Sequence, residues 1–312
     1  MSVYNGRAYL AQAMDSILGQ SLADLELIVI DDGSTDGSLE IIRSFEDQRI
    51  RLLVNQGNLG LTPSLNLGLA AARAGYVARQ DADDISLPLR LARQAEYLDR
   101  HPGVAAVAGS AEYLDQDRGT VRADGRYLSP GAVRWSLLFG NELPHGAMMF
   151  RRRVVEEAGG YDETFTFSQD YDLWSRLSRK GEIVRLAEVL IRYRLHDRAL
   201  SGRNRPDQDR FRDRVSRANM ERLLGRPVSP ELVRALRTRA DRPGSCLEAG
   251  RLVADLWRAF QSREALSPPE KKAVRGQAAR VLRGLAGLYC RTLPLEAGAV
   301  LLRSWRLGLA AG

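Results

Sequence analysis

Two rhythms of hydrophobic and polar positions alternate over the first two thirds of the chain. Tyr9, Leu10, Ala13, Met14, Ile17 and Leu18 recur at helical spacing, which predicts an amphipathic helix directly after a turn at residues 1–6. Residues 25–30 form a short, nearly all-apolar run of the kind buried on both faces in parallel sheets. That strand runs into Asp31-Asp32-Gly33-Ser34-Thr35-Asp36, a loop dense in turn and capping residues. Leu39, Ile42 and Phe45 mark the next helix, and residues 50–54 the next strand. A loop with two glycines follows, and then Thr62 as a cap with Pro63 in the first helical turn. Residues 76–80 predict a third strand, 88–98 a helix and 104–109 a fourth strand.

Strand and helix alternating at this spacing is the signature of an open α/β sheet. Ligands bind such sheets beyond the carboxyl ends of the strands. Two acidic stretches, Asp31-Asp32 and Asp81-Ala82-Asp83-Asp84, each follow an apolar strand directly, so both are expected in one crevice. Beyond residue 115 the pattern loosens. Trp135, Leu138 and Phe139 suggest a helix, residues 143–150 a short strand entered through a turn, and 153–158 a helix ended by Gly159-Gly160. Asp170, Leu173, Trp174 and Leu177 share a helix face, with Tyr171 and Trp174 read as core, and residues 183–186 and 189–195 are strand-like. Residues 197–208 are polar and read as a linker. The rest is helical and rich in Arg, Leu and Ala, with breaks at 227–230, 241–245 and 268–269. The expected domains are therefore 1–200, an α/β domain, and 201–312, a helical region.

Composition narrows this only slightly. At 312 residues, 44% hydrophobic and 27% charged, the chain has the makings of a sizeable core. No apolar run reaches membrane-spanning length, and no apolar leader opens the chain. Cys246 and Cys290 are far apart and read as ordinary thiols in a reducing compartment. The net charge of +7 is carried by arginine, since Lys180, Lys271 and Lys272 are the only lysines. Such an excess favours anionic partners. No aromatic-interleaved basic motif accompanies it, so no nucleic-acid partner is expected. Peripheral docking of the Arg-rich helical region on a membrane is one reading of that charge, and a solvated helical appendage is the other.

The densest chemistry is in Arg79-Gln80-Asp81-Ala82-Asp83-Asp84. Three carboxylates in four positions at a strand end suit Mg²⁺ or Mn²⁺ bound together with substrate phosphates. The alternative is that Asp83 or Asp84 caps the following helix.

Val3-Tyr4-Asn5-Gly6, Asp31-Asp32-Gly33-Ser34-Thr35-Asp36, Asn58-Leu59-Gly60, Arg79 to Asp84, His145, Gly159-Gly160-Tyr161-Asp162 and Asp170-Tyr171-Asp172-Leu173-Trp174 occur in that order. This combination resembles the family-2 inverting glycosyltransferases of GT-A fold, over roughly the first two thirds of the chain. The resemblance implies an open mixed sheet flanked by helices. It also implies transfer of a sugar from a nucleotide-diphosphate donor, with a UDP-sugar favoured, to a hydroxyl of a glycan or lipid-linked glycan, as in cell-surface polysaccharide synthesis. A Mn²⁺ or Mg²⁺ ion would stabilise the departing diphosphate as a Lewis acid. On this resemblance Asp83 ligates the metal, His196 reaches it, and Asp81 and Ala82 contact the donor. Asp84 is a further donor contact or a cap. Asp32 pairs with the uracil imide, which a carboxylate can accept. Val3, Tyr4, Asn5 and Asn58 flank the nucleotide. Arg79 pairs with the diphosphate or makes a strand-edge salt bridge. Asp170 is the general base or a helix N-cap, and His145 lies near the acceptor or phosphates. Gln169 departs from the family, which usually has Glu there. His101 reads as a surface helix-end residue.

In the family an apolar first strand precedes the Val-Tyr-Asn turn. Here Met1 stands where that strand would end, so the sheet is expected to lack it, with a loss of stability. A cytoplasmic protein, soluble or peripheral at the inner membrane face, is expected. A catalytically impaired nucleotide-sugar binder is the first rival. A nucleotidyltransferase is the second, although no Gly-rich basic phosphate loop opens the chain.

Overall fold

The computed structural model describes residues 1–115, 119–196, 205–238, 245–289 and 300. Residues 197–204, most of the expected linker, lie outside that set, as do residues 239–244 and Cys290. Contacts divide the chain into two compact units, Met1–Leu128 with Leu143–Gln208, and Ser129–Glu142 with Asp209–Gly312. The sequence places residues 129–142 in the first domain; they group instead with the helical unit.

The first unit is built on a parallel ladder. Leu27–Asp31 (β2) runs between Ser2–Val3 (β1) and Ile50–Val54 (β3). Leu27, Val29 and Ile30 are buried, which is why a near-continuous apolar run makes a central strand here. Leu10–Leu18 (α1) presses Leu10, Met14 and Ile17 against that ladder with Val3, Val29 and Ile42. Ser38–Arg43 (α2) follows β2, and Leu61–Ala71 (α3) follows β3. Thr62 does not cap α3. It lies one residue inside the helix, and its hydroxyl donates to the Phe165 carbonyl at 2.8 Å.

The second sheet is mixed. Its strands are Tyr76–Ala78 (β4), Ile85–Ser86 (β5), Val104–Asp115 (β6), Gly119–Asp124 (β7), Met148–Arg151 (β8) and Glu182–Leu195 (β9). They lie in the order β4-β8-β6-β9-β5, with β7 on the side of β6. β6 pairs parallel with β9 and antiparallel with β7 and β8. Arg90–Arg100 (α4) packs Leu91 and Leu98 onto Val104, Val107 and Val184. β6 runs six residues past its expected end, and its hairpin with β7 fills the stretch that reads as irregular. β9 is one strand with bulges rather than two strands. A single 3₁₀ turn, His145–Ala147, leads into β8, and Arg152–Glu157 (α6) and Gln169–Leu177 (α7) complete this unit. Trp174 and Tyr171 are core, as expected.

Ser2 joins the two sheets, pairing with Ile30 on one side and with Asp81 on the other. The first strand expected to be lacking is thus present as the short β1. Behind that bridge the edges of β2 and β4 do not pair. A cavity of about 340 Å³ separates them, lined among others by Met1, Leu27, Leu65, Ala78 and Phe150. The Met1 amino group donates to the Ile28 carbonyl at 2.8 Å, and burial and then Arg79 push its pKa down to about 5.

The second unit contains Pro130–Ser136 (α5), Arg205–Leu224 (α8; its first four residues belong to the first unit), Pro230–Thr238 (α9), Ser245–Arg263 (α10) and Pro268–Tyr289 (α11). Ser129 caps α5, and Trp135 meets Trp257 and Phe260 edge-on in its core. Arg237 is held by Asp209 and Asp213. Among the described residues no helix is long and apolar enough to cross a membrane.

Candidate active site

β4 carries the chain to the carboxyl end of the sheet, where residues 79–84 turn past Ser2. A buried arginine moulds that turn. Arg90, at the start of α4, has no exposed surface, and its guanidinium donates only to neutral oxygens. These are Gln80 Oε1, Ser86 Oγ, Gln94 Oε1 and the carbonyls of Arg79 and Met148. Burial lowers its pKa to about 9, opposed by the charges of Asp84 and Asp81. A buried cation needs compensation, and the acidic turn supplies it at longer range. The Gln80 amide donates to the Asp81 and Asp84 carbonyls and fixes the turn from the same side.

The three carboxylates have different environments. Asp81 pairs with Arg79 at 2.5 Å. Burial raises its pKa, but Arg79, His145 and the Met1 amino group outweigh burial and hold it below the ordinary value. Asp83 is raised, by burial and then by Asp81. Asp84 is raised well above the usual range, by burial and then by both neighbours. Its Oδ1 accepts the Arg194 N–H at 3.0 Å, and its buried Oδ2 has no hydrogen-bond partner. None of the acids caps α4, whose N-cap is Leu89, so the capping alternative fails for Asp83 and Asp84. Gly146 lies against this cluster. A Cβ there would sit 2.8 Å from Asp81 Oδ2 and 2.9 Å from Asp84 Oδ2.

The end of β9 closes on the turn. His196 Nε2 lies 3.0 Å from Asp83 Oδ2. Arg194 Nε donates to the Asp83 carbonyl and Nη2 to Gln12 Oε1, and its guanidinium lies 4.5 Å over the Tyr9 ring. Tyr9 in turn meets the His196 ring at 4.8 Å. Among the described residues no three His, Cys, Asp or Glu side chains converge as a complete metal site. Asp83 and His196 are two side chains that could hold an ion. Two donor atoms at right angles on an ion about 2.1 Å away stand about 3.0 Å apart, so their spacing fits. An incomplete protein set suits Mg²⁺ or Mn²⁺, which keep positions for water and phosphate oxygens.

On the nucleotide side several of the expected residues carry structural bonds. Asp32 is buried. Its oxygens accept from Asn55 Nδ2 at 2.7 Å and from the main-chain N–H groups of Leu59 and Gly60. These bonds organise the loop of residues 55–60. Its neighbour Asp31 has a buried Oδ1 with no partner. Arg79 is 4% exposed and bound to Asp81 and the Gln80 carbonyl, which is the salt bridge the sequence offers as one alternative. The Val3 side chain belongs to the core, leaving only its backbone near the crevice, and Ala82 packs against that core. Tyr4 is half exposed and Asn58 is exposed on its loop. Asn5 adopts a left-handed φ of 53°, with Oδ1 accepting the Thr35 N–H at 2.8 Å. Gly33, at φ 75°, passes so close to Gly57 that a Cβ would sit 2.7 Å from its carbonyl carbon.

On the far side, His145 Nε2 lies 2.8 Å from the Tyr161 hydroxyl. Burial and then Arg79 push His145 down to about 3, against Asp81, so the ring is neutral near pH 7. Burial raises the Tyr161 hydroxyl, which also feels Asp170 and Asp81. Asp170 sits in the first turn of α7 and accepts the Tyr171 N–H at 2.8 Å. The N-cap is Ser168, at a left-handed φ of 58°, so Asp170 is not the cap. His101 ends α4 at the surface, as expected. The sequence reading gave no role to Arg90 or Arg194 and quoted Asp31 and Tyr161 only within their motifs. Arg194 carried a signal in its place two residues before His196.

The chain is 30% identical over 234 residues to an uncharacterized glycosyltransferase of Haemophilus influenzae, covering 72% of each chain. It is 34% identical over 187 residues to the putative glycosyltransferase EpsE of Bacillus subtilis, covering 58% of this chain and 66% of EpsE. It is 30% identical over 208 residues to the O-antigen biosynthesis glycosyltransferase WbnJ of Escherichia coli, covering 64% and 79%. The fold matches Staphylococcus aureus TarS residues 1–349, in a structure with UDP-GlcNAc, at a TM-score of 0.61 and 15% identity, over 98% of this chain and 90% of that one. Residues 1–159 match the family model described as glycosyl transferase family 2, and with the acidic turn and GT-A sheet in place the chain belongs to that family of glycosyltransferases.

Proposed function

We propose that this glycosyltransferase is a metal-dependent inverting enzyme that moves a sugar from a UDP-sugar to a hydroxyl of a glycan or lipid-linked glycan. The observation that carries the reading is the convergence of Asp83 and His196, on two different strands' ends, beside a second carboxylate held ionised by Arg79. The UDP-GlcNAc in the TarS structure supports the donor class, and the O-antigen role in the name of WbnJ supports surface polysaccharide synthesis.

Asp83 and His196 would hold Mn²⁺ or Mg²⁺, and the bound ion would supply Lewis-acid stabilisation of the leaving diphosphate. Asp81 contacts the donor, fixed by Arg79 from within the sheet. Asn5 orders the Tyr4 side of the crevice through Thr35. Asp170 takes the proton of the acceptor hydroxyl as that oxygen attacks the anomeric carbon, and such base catalysis contributes about 10²–10⁴-fold. Neutral His145, held by Tyr161, lines the crevice without adding charge. The retained Asp170 favours this enzyme over an impaired binder despite Gln169.

Asp83→Ala tests the reading. A panel of nucleotide sugars is incubated with Mn²⁺, Mg²⁺ or EDTA, and nucleotide release is followed. The expected result is metal-dependent turnover of a UDP-sugar that falls at least about a hundredfold in the variant. Turnover that is unchanged by Asp83→Ala, or equal in EDTA, would remove the metal role.

A further inference from the structure

The charge of this protein is divided unevenly between its two units. The α/β unit carries 24 Lys and Arg against 28 Asp and Glu, and the helical unit carries 22 against 11. The whole positive excess thus belongs to the helical unit. In α11 it is concentrated on one face. Lys271, Lys272, Arg275, Arg280 and Arg283 are all exposed, and none has an ion pair or side-chain hydrogen bond among the described residues. At 100° per residue they fall within about half of the helix circumference, over about 18 Å of its length, with the small buried side chains of Ala279 and Ala286 between them. Val274, Ala278 and Leu285, outside that arc, are buried in the unit's core, so the cations are presented on a fixed rod. Glu270 is the only acid in α11; it lies at the N-terminal turn and turns inward to accept the Gly131 N–H.

Several other arginines of the helical unit have acidic partners. Arg226 and Arg258 share Asp255, Arg134 meets Glu264, and Arg217 meets Glu221 in the same unit. Unpaired cations on one side of a rigid helix repel one another unless an anionic partner lies opposite. We propose that the outer face of α11 is the docking surface for an anionic lipid headgroup layer. The stripe is linear and carries no aromatic on which a base could stack, which favours a planar layer of headgroup phosphates over single-stranded nucleic acid. No apolar residue needs to insert, so the attraction is electrostatic and salt-sensitive. The proposal stands apart from the catalytic reading, because nothing in the donor site enters it.

Sedimentation with phosphatidylglycerol–phosphatidylcholine vesicles, without donor or metal, tests it. The full chain is expected to bind vesicles with 30% phosphatidylglycerol and to leave pure phosphatidylcholine unbound. Binding should fall steeply between 50 and 300 mM salt. Each cation near such a surface contributes roughly fivefold in affinity. The quadruple variant Lys271→Gln, Lys272→Gln, Arg275→Gln, Arg280→Gln should therefore lose at least about a hundredfold, at an unchanged thermal midpoint. A charge-matched variant in the other unit, Arg43→Gln, Arg93→Gln, Arg100→Gln, Lys180→Gln, should bind as the parent does. Equal losses in both variants would make the effect one of net charge and overturn the assignment to α11. No preference for phosphatidylglycerol, or tighter binding of random-sequence single-stranded RNA at equal phosphate concentration, would overturn the lipid assignment.

Discussion

Gly146 shows how finely the acidic turn is fitted. Its hydrogen faces two carboxylate oxygens that a methyl group would meet at 2.8 and 2.9 Å, against fixed groups on a turn gripped by Gln80 and Arg90. Gly146→Ala is expected to displace Asp81 and cut turnover at least about tenfold while costing about 1–3 kcal/mol in stability, the range for an overpacked core. Kinetics with a thermal melt would check it, and a loss of stability with full turnover would count against the fit. His145 makes a pH prediction. Its folded pKa, near 3, lies below the unfolded value of about 6.5. Between those values the unfolded chain binds a proton that the folded chain refuses. Its contribution is therefore complete above about pH 6.5 and is lost as pH falls toward 3, by up to about 1.4 kcal/mol per pH unit. Urea unfolding from pH 5 to 8 should show a shallower acid decline in His145→Asn than in the parent. Parallel declines would mean that His145 is protonated in the folded state.

At the scale of the element, the weak point is β1. Two residues bridge the sheets, and behind them β2 and β4 face each other across an apolar cavity instead of pairing. Unpaired strand edges and unfilled apolar space both destabilise. An extension of four alternating β-branched residues placed before Met1 would enter this slot with backbone partners on both sides. Burying each such side chain is worth about 1.5–3 kcal/mol, and ordering each residue costs about 1–2 kcal/mol. The net expectation is a rise of several degrees in the thermal midpoint, with a Gly-Ser extension of equal length as control. Equal midpoints for the two extensions would show that the slot does not take a strand. The elements around it were readable because buried parallel strands leave near-continuous apolar runs, as residues 25–30 do. The β6–β7 hairpin was not. Its polar residues face outward, and only pairing with β9 and β8 makes β6 a twelve-residue strand.

Across the whole molecule, the sequence by itself determined the alternation of strand and helix, the family, and the placing of acids at strand ends. These follow from local periodicity and from residue type, which need no knowledge of distant partners. Charge totals were equally legible, and so was their division, because residues 129–142, which join the helical unit, carry one Arg and one Glu. The division of labour inside the site was decided only in three dimensions. Asp31 and Asp32 are adjacent and chemically identical, yet the backbone of residues 55–60 occupies one and leaves an oxygen of the other free. Arg79 reads as a phosphate ligand or a salt-bridge partner, and only the fold shows it buried on Asp81. His196 meets Asp83 across 113 residues because β9 runs beside β5 and ends over the acidic turn. Periodicity along a chain fixes which face of an element is buried. Which lone pairs remain for a substrate depends on what every other segment has already bound, and that is a property of the tertiary structure alone.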